Sequence, residues 1–217
     1  MIRLEDIAGV VRASLDEKYR AREKGLILSR SVIRDSANAI RAAHRAEFDR
    51  AGELLKKARE AVHDMDVALE NHPDIYYAGF VQDAQKEYAE ASITCALIAG
   101  HDLPNPGALK VGYAPYLNGM GEAIGELRRY LLDSLRRGEI EGCEKILEEM
   151  DDMYSLLVTM DYPDAMTGGL RRTTDVARSI LEKTRGDLTI AIRQRQLELT
   201  LSEFENRFKP KSGRTKE

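Results

Sequence analysis

The chain has 217 residues, which is enough for one large domain or two small ones with a buried core. Apolar residues make up 43% and charged residues 32%, aromatic residues are 6% and tryptophan is absent, a composition closer to long helices than to a β-sandwich. Neither a run of about 18 apolar residues nor an apolar N-terminal stretch is present, which argues against a membrane span and a signal peptide and predicts a cytoplasmic protein. Cys95 and Cys143 lack metal-ligand spacing and are expected to be buried thiols without a disulfide.

The net charge of −4 is unevenly distributed along the chain. Residues 1–60 carry a net charge of +4, residues 61–165 carry −13, and residues 166–217 carry +5. Basic ends around an acidic centre can attract phosphates to one surface and hold cations at another. The distribution therefore points to a polyanionic partner more than the total charge does.

Apolar residues recur at steps of three and four along almost the whole chain, which predicts a single all-α domain over residues 1–208. A helix over 4–46 would be about 60 Å long and would overhang one subunit, which suggests contacts between subunits. Further helices are expected over 47–70, 74–99, 116–137, 139–160 and 170–208. The last nine residues, 209–217, are expected to form a disordered basic tail. Long helices joined by short loops are typical of an extended helical bundle.

On the third predicted helix, an acidic line runs beside the apolar seam. It contains Asp83, Glu87 and Glu90 and is flanked by Phe80 and Leu97, so these acids are expected at the margin of the core. Glu87 and Glu90 are three residues apart and can share one divalent cation. A solvated helix face would show the same spacing, so both interpretations remain open.

The fifth predicted helix also brings acids to an apolar seam, with Asp152 on a line with Glu149 and Leu156. Two such helices can converge three or more carboxylates on a site for Mg²⁺ or Mn²⁺. Such a site suits phosphodiester hydrolysis, because the metal activates water and no Ser, Cys or His nucleophile is needed. The alternative is again a solvated acidic helix.

Other catalytic patterns are weak. The single Glu-x-x-His, Glu60 to His63, falls short of the pair that a di-iron bundle requires, and no phosphate-binding glycine motif or Cys-x-x-Cys occurs.

Basic residues form two clusters suited to phosphates. The candidate nucleic-acid contacts are Arg30, Arg34, Arg41 and Arg45 on one face of the first helix, His44 beside them, Arg171 and Arg172 after Thr167-Gly168-Gly169, and Lys86 beside the acidic line. Each cluster by itself is more often a solvated or salt-bridged face.

Several short elements, in order along the chain, resemble the translin superfamily, and specifically its translin-associated factor X branch. They are Arg30–Arg45, Gln85–Ala91 (QKEYAEA), Tyr116–Gly119, Gly125–Arg129, Arg137–Ile140 and Asp151–Tyr154.

The resemblance implies an all-helical subunit of a hollow oligomer, typically an octamer, that encloses RNA. It also implies a metal-dependent endoribonuclease for single-stranded RNA, with acids that match Glu87, Glu90 and Asp152. In this hypothesis Glu126 also contributes to the metal site, either as a fourth acidic ligand or as an acid behind the ligands. The chain lacks the extended basic N-terminal segment of animal factor X proteins, which favours a homo-oligomer over assembly with a translin partner. The rival hypothesis is a non-catalytic assembly that binds single-stranded RNA or DNA.

The predicted assembly needs apolar surfaces that subunits can share. The sequence offers two apolar stripes, Leu127, Leu131 and Leu135 on the fourth helix and Leu197, Leu201 and Phe204 on the last.

Overall fold

Two antiparallel helices open the structure, a computed structural model that describes residues 3–208. Helix α1 spans Leu4–His44 and α2 spans Phe48–Leu69, and the short connection between them folds α2 back along α1. Ala46 takes a positive φ of 57° in this turn. Small buried side chains such as Ala39, Ala43 and Ala58 let the two helices pack closely.

Helix α4 lies at the centre of the bundle. After the single turn α3, Pro73–Tyr76, α4 runs over Gly79–Ile98 and packs against both α1 and α6. Its side chains are apolar on most of its circumference, and Val81, Ala84, Ala89 and Ile93 are fully buried. A helix that is apolar nearly all round is expected in the core.

The second half of the chain completes the bundle around α6, Tyr113–Arg136, which packs on α4 and also on α7, Cys143–Val158, and α9, Leu170–Phe208. Two single turns precede α6 and α9, namely α5, Pro106–Leu109, and α8, Asp164–Thr167. Met120, Ile124, Leu127 and Leu131 of α6 are buried in the core.

The all-α prediction is confirmed, and residues 3–208 contain no strand. The third predicted helix, 74–99, is in fact interrupted, because Ala78 is extended with a ψ of 151° and α4 starts at Gly79. The fifth begins at Cys143 rather than 139, after Gly142 in a left-handed conformation. Cys95 and Cys143 are buried and free, and the predicted tail, 209–217, lies outside the described residues.

The two longest helices project beyond the core. Nearly all side chains of residues 4–17 on α1 and all those of residues 193–207 on α9 are exposed. Leu197 and Leu201 on α9 are among them, but Leu127 and Leu131 are buried within the chain's own core, so the predicted stripe on α6 is not available to another subunit. None of the described helices is apolar over enough length to cross a bilayer.

Candidate metal centre

Three carboxylates from two helices meet at the crossing of α4 and α6. One carboxylate oxygen each of Glu87, Glu90 and Glu122 lie within 4.8 Å of one another. Glu87 and Glu90 are on successive turns of α4, while Glu122 comes from α6. All three are partly buried, so they stand at the margin of the core.

Gly119 makes this crossing possible. A Cβ atom at this position would lie 2.6 Å from the carbonyl oxygen of Lys86 and 2.9 Å from the amide nitrogen of Glu90. The backbones of α4 and α6 therefore touch at Gly119, one turn before Glu122. This contact brings the Glu122 carboxylate beside those of α4.

The cluster holds more negative charge than its surroundings neutralise. Burial, followed by the charges of Glu122, Glu87 and Glu126, raises the pKa of Glu90 to about 8, and only Lys86 acts in the opposite direction. A divalent cation among these oxygens would remove the repulsion. All three ligands of the cluster would be carboxylate oxygens, which are among the donors that Mg²⁺ and Mn²⁺ prefer, so the residues fit such an ion.

Lys86 is the cation of the cluster. Its Nζ atom lies 2.7 Å from Glu122 Oε1 and 3.5 Å from Glu87 Oε1. Burial opposes the charge of Lys86, but the hydrogen bond and the charge of Glu122 leave its pKa raised. The ammonium therefore remains protonated, and it links α4 to α6 beside the candidate metal ligands.

Glu126, one turn after Glu122, is held by His44 at the end of α1. The distance between His44 Nε2 and Glu126 Oε2 is 2.6 Å, and this hydrogen bond lowers the pKa of Glu126. The His44 side chain is only 6% exposed and its Nδ1 is buried without a hydrogen-bond partner. His44, predicted as a phosphate or surface contact, is thus hydrogen-bonded to α6, where its ring centroid also lies 6.5 Å from that of Tyr130. A phosphate contact of His44 stays a prediction.

Asp152 does not belong to the cluster. The group of three acids in residues 3–208 consists of Glu87, Glu90 and Glu122, whereas Asp152 is exposed on α7. The physical reason is that α6, not α7, lies along the acidic side of α4. Glu122 therefore occupies the place that the sequence analysis assigned to Asp152.

A cleft of about 1400 Å³ opens onto the cluster between α4, α6 and the start of α9. Lys86, Glu90 and Glu122 line one side, and Gly169 and Arg172 line the other. Asn118 of α6 ties the two sides together, since it donates to the carbonyl oxygen of Thr167 at 2.7 Å and accepts from the Thr173 hydroxyl at 2.8 Å. The side-chain cation Arg172 thus lines the same cleft as the acids Glu90 and Glu122.

The other predicted basic contacts lie outside the residues that line this cleft. Arg34 donates to Ser31 and Asp35, Arg41 donates to Asn38, and Arg45 forms a 2.7 Å ion pair with Glu47, all locally near or on α1. Arg30 is exposed on the same helix. Arg171 lies 3.5 Å from the carboxylate of Asp161.

Comparison with known proteins gives the fold a family. No protein-family model matches the chain. The uncharacterised protein MJ0175 of Methanocaldococcus jannaschii is 30% identical over 185 residues, which are 84% of this chain and 82% of that protein. Two structures of AfC3PO, one of them a complex with duplex RNA, are 33% identical with a TM-score of 0.80, and the match covers 87% of this chain and 98% of theirs. The chain belongs to the translin superfamily.

The fold is shared with a more distant translin-family structure. Apo-NeC3PO is 19% identical, with a TM-score of 0.77 over 88% of this chain and all of that one. At this identity the likeness establishes the fold alone.

Within this translin-family chain, a sequence signal for Glu122 does exist. Glu122 and Glu126 are four residues apart and stand in an otherwise apolar and glycine-rich run, Gly119–Leu127. Isolated acids in an apolar helix are rarely solvated. The acidic stretch on α7, by contrast, includes exposed members; its acids are Glu148, Glu149, Asp151 and Asp152. Two isolated acids in an apolar helix are therefore a stronger sequence indicator of a carboxylate site than the densest acidic stretch of the chain.

Proposed function

We propose that this protein is a metal-dependent endoribonuclease that uses Glu87, Glu90 and Glu122 to hold Mg²⁺ or Mn²⁺ and cleaves RNA in the cleft between α4, α6 and α9. The observation that carries the proposal is the convergence of three carboxylates around a Glu90 whose pKa is raised to about 8. Such an arrangement keeps the Glu90 carboxyl protonated until a compensating positive charge is present, and a divalent cation would supply that charge. Perturbed carboxylates in a cleft are also typical of catalytic sites.

Each side chain of the cleft has a distinct task in this proposal. When bound, a divalent ion supplies a water of lowered pKa and neutralises charge that develops on the phosphate. Glu126, oriented by His44, adds negative charge next to Glu90 and so strengthens the hold on a cation. Lys86 and Arg172 position phosphate oxygens on the two sides of the cleft.

The relatives support RNA as the substrate, because AfC3PO has been captured with duplex RNA. We infer selectivity for single-stranded RNA from enclosure of the site in a closed homo-oligomer, most plausibly an octamer of the factor X type, in which only flexible strands reach the cluster. The arginines of α1, at positions 30, 34, 41 and 45, would provide further phosphate contacts in that assembly.

The proposal is tested with labelled single-stranded and duplex RNA of the same sequence, incubated with the protein in Mg²⁺, in Mn²⁺ and in EDTA. We expect cleavage of the single strand that requires metal and is lost in Glu90→Gln, while binding of RNA persists. Cleavage that continues in EDTA, or in the Glu90→Gln variant, would contradict the assigned site.

A second candidate is a non-catalytic RNA-binding assembly. It is favoured by the Lys86 contacts, since a protonated lysine between Glu122 and Glu87 already provides part of the missing positive charge. On this hypothesis the acids serve structure, and RNA is bound but remains intact in both metals. The same assay therefore separates the two functions.

A further inference from the structure

Two exposed tyrosines lie on the same cleft as the acidic cluster. Tyr77, between α3 and α4, is 73% exposed, and Tyr113, at the start of α6, is 79% exposed. Both line the cavity that also contains Glu90 and Glu122. Tyrosine usually buries most of its ring, so two exposed rings beside a candidate active site indicate a surface that could bind a ligand.

A buried amide holds the two tyrosine-bearing segments together. Gln85 is 0% exposed, its Nε2 donates to the Tyr76 hydroxyl at 3.1 Å, and its Oε1 accepts from the Gly112 amide at 3.1 Å. Tyr77 and Tyr113 are the residues that directly follow these two partners. Gln85 therefore joins the two chain segments that bring Tyr77 and Tyr113 to the cleft lining.

The Tyr77 ring is also braced from the side. Its centroid lies 5.2 Å from that of Tyr76, with the two ring planes at 89°. This edge contact limits the motion of the Tyr77 ring, whose exposed surface remains available. A ring that is held in place before binding loses less entropy when a ligand stacks on it.

The chemistry of the cleft indicates which flat ligand would stack there. The lining combines two aromatic rings, the cations Lys86 and Arg172, and candidate metal ligands, a set of groups that matches the bases and phosphates of a nucleic-acid strand. Tyr113 and Glu122 are nine residues apart on α6, a rise of about 13 Å. The rings would thus contact a base within a few nucleotides of the bond that is cut.

We propose that Tyr77 and Tyr113 form a stacking platform for an unpaired RNA base, which makes base stacking a determinant of the preference for single strands. The inference rests on the proposed function, because it takes the cleft as the path of the RNA. A base inside a duplex has both faces covered by its neighbours, so only an unpaired base can lie on the platform. Stacking of this kind accepts any base, in keeping with the absence of base-reading motifs from the sequence.

The experiment measures binding without catalysis, on the full-length protein in EDTA. The probes are a short single-stranded RNA with one 2-aminopurine, whose fluorescence is quenched by stacking, and the same strand with abasic sites. The variants are Tyr77→Ala with Tyr113→Ala, the corresponding double Phe variant, and Tyr162→Ala as a control at an exposed tyrosine outside the cleft lining.

We expect the double Ala variant to bind the ordinary strand about tenfold more weakly, with loss of quenching, and to bind the abasic strand as the unchanged protein does. The double Phe and Tyr162→Ala variants should retain affinity. The platform would be overturned if the double Ala variant bound both strands equally weakly, or if its affinity for the ordinary strand were unchanged. A change in particle size by light scattering would also overturn it, because the rings would then form a subunit interface. These outcomes leave cleavage by the unchanged protein intact, whereas failure of the proposed function would appear as absent cleavage in Mg²⁺ and Mn²⁺.

Discussion

Gly119 and Lys86 are in backbone contact, since a Cβ atom on Gly119 would lie 2.6 Å from the Lys86 carbonyl oxygen. The acidic cluster exists only because this contact draws α6 onto α4. A side chain at position 119 cannot be accommodated by a rotamer change, because the obstacle is the main chain of α4. The helices would have to separate, and Glu122 would move away from Glu87 and Glu90.

Gly119→Ala should therefore lower both stability and activity. Overpacking of this kind costs about 1–3 kcal/mol, or a fall of several degrees in Tm for a domain of this size. Gly186→Ala is the matched control, because a Cβ at this position in α9 meets no atom within 4 Å and alanine favours a helix. Thermal unfolding and RNA cleavage of both variants provide the measurement, and a Gly119→Ala protein with unchanged Tm would show that the crossing is looser than described.

Replacement of acids distinguishes the cluster from the acidic surface of α7. Glu122→Gln should reduce metal-dependent cleavage about 100-fold or more, because it removes one ligand charge at nearly constant shape. Asp152→Asn, on the exposed face of α7, should leave the rate within about twofold of the unchanged protein, since it alters only solvated charge. Initial rates and Mn²⁺ titration calorimetry measure both effects, and the opposite ranking would restore Asp152 as a ligand.

The raised pKa of Glu90 predicts that the stability of the protein depends on pH in an unusual way. The pKa of this carboxyl is raised from the ordinary glutamate value of 4.5 to about 8 in the folded chain, so between these values the folded state binds a proton that the unfolded state has lost. Stability of the metal-free protein contributed by this group is therefore present below about pH 4.5 and is lost as pH rises toward 8. Thermal unfolding in EDTA from pH 5 to 9 should show this decline.

Two comparisons isolate the contribution of Glu90. Glu90→Gln should flatten the decline, because the amide does not titrate. Added Mn²⁺ should raise Tm most at the upper end of the range, where the ionised carboxylate is available as a ligand. An identical pH profile for the variant would locate the dependence elsewhere in the chain.

The sequence predicts the helices and two of the three acids of the cluster, but not the helix crossing that adds the third. Glu87 and Glu90 share a helix, so local periodicity places them side by side without knowledge of the tertiary fold. Glu122 joins them through a crossing set by Gly119, which depends on how α6 packs against α4. The same holds for His44: its position next to arginines suggests a basic surface, while the fold brings its Nε2 to 2.6 Å from Glu126 Oε2 of α6.

Helix ends show a similar division. The periodic pattern of α4 continues back through Tyr77, so nothing in its apolar spacing marks the break, which requires the extended backbone of Ala78. Tyr77 lies directly before this break and is exposed on the cleft, so the break is part of the proposed stacking platform. Apolar periodicity therefore predicts that a helix is present better than it predicts where a helix is interrupted.

Arg172 should contribute to RNA affinity through the phosphates alone. Arg172→Gln is expected to weaken binding to all RNA sequences alike and to lower the slope of log affinity against log salt by about 0.7, the value for one contact to a single strand. Arg171→Gln is the neighbouring control, since Arg171 pairs with Asp161 and is not among the residues that line the cleft. Anisotropy titrations over a range of salt concentrations measure both slopes, and equal slopes would take Arg172 out of the phosphate path.

The exposed end of α9 leads to a prediction about assembly. Residues 193–207 form about four helical turns whose side chains are all exposed, and Leu197 and Leu201 are four residues apart on one face. An unsupported helix of this length is marginal in water, so its apolar face is expected to pack on another copy of the chain. The exposed apolar residues at the start of α1, including Leu4 and Val10, provide a second such face.

Light scattering of the unchanged protein should therefore give a mass several times 24.4 kDa, with eight subunits expected from the family. Leu197→Lys with Leu201→Lys should shift the particle toward smaller species, because burying two charges against another chain is costly. Leu199→Lys, at a position that is 51% exposed on the opposite side of the helix from Leu197 and Leu201, should preserve the assembly. If the site must be enclosed to select single strands, the smaller particles should also lose discrimination between single-stranded and duplex RNA while they keep metal-dependent cleavage. An active monomer with undiminished discrimination would show that selectivity resides in the cleft of one subunit rather than in enclosure.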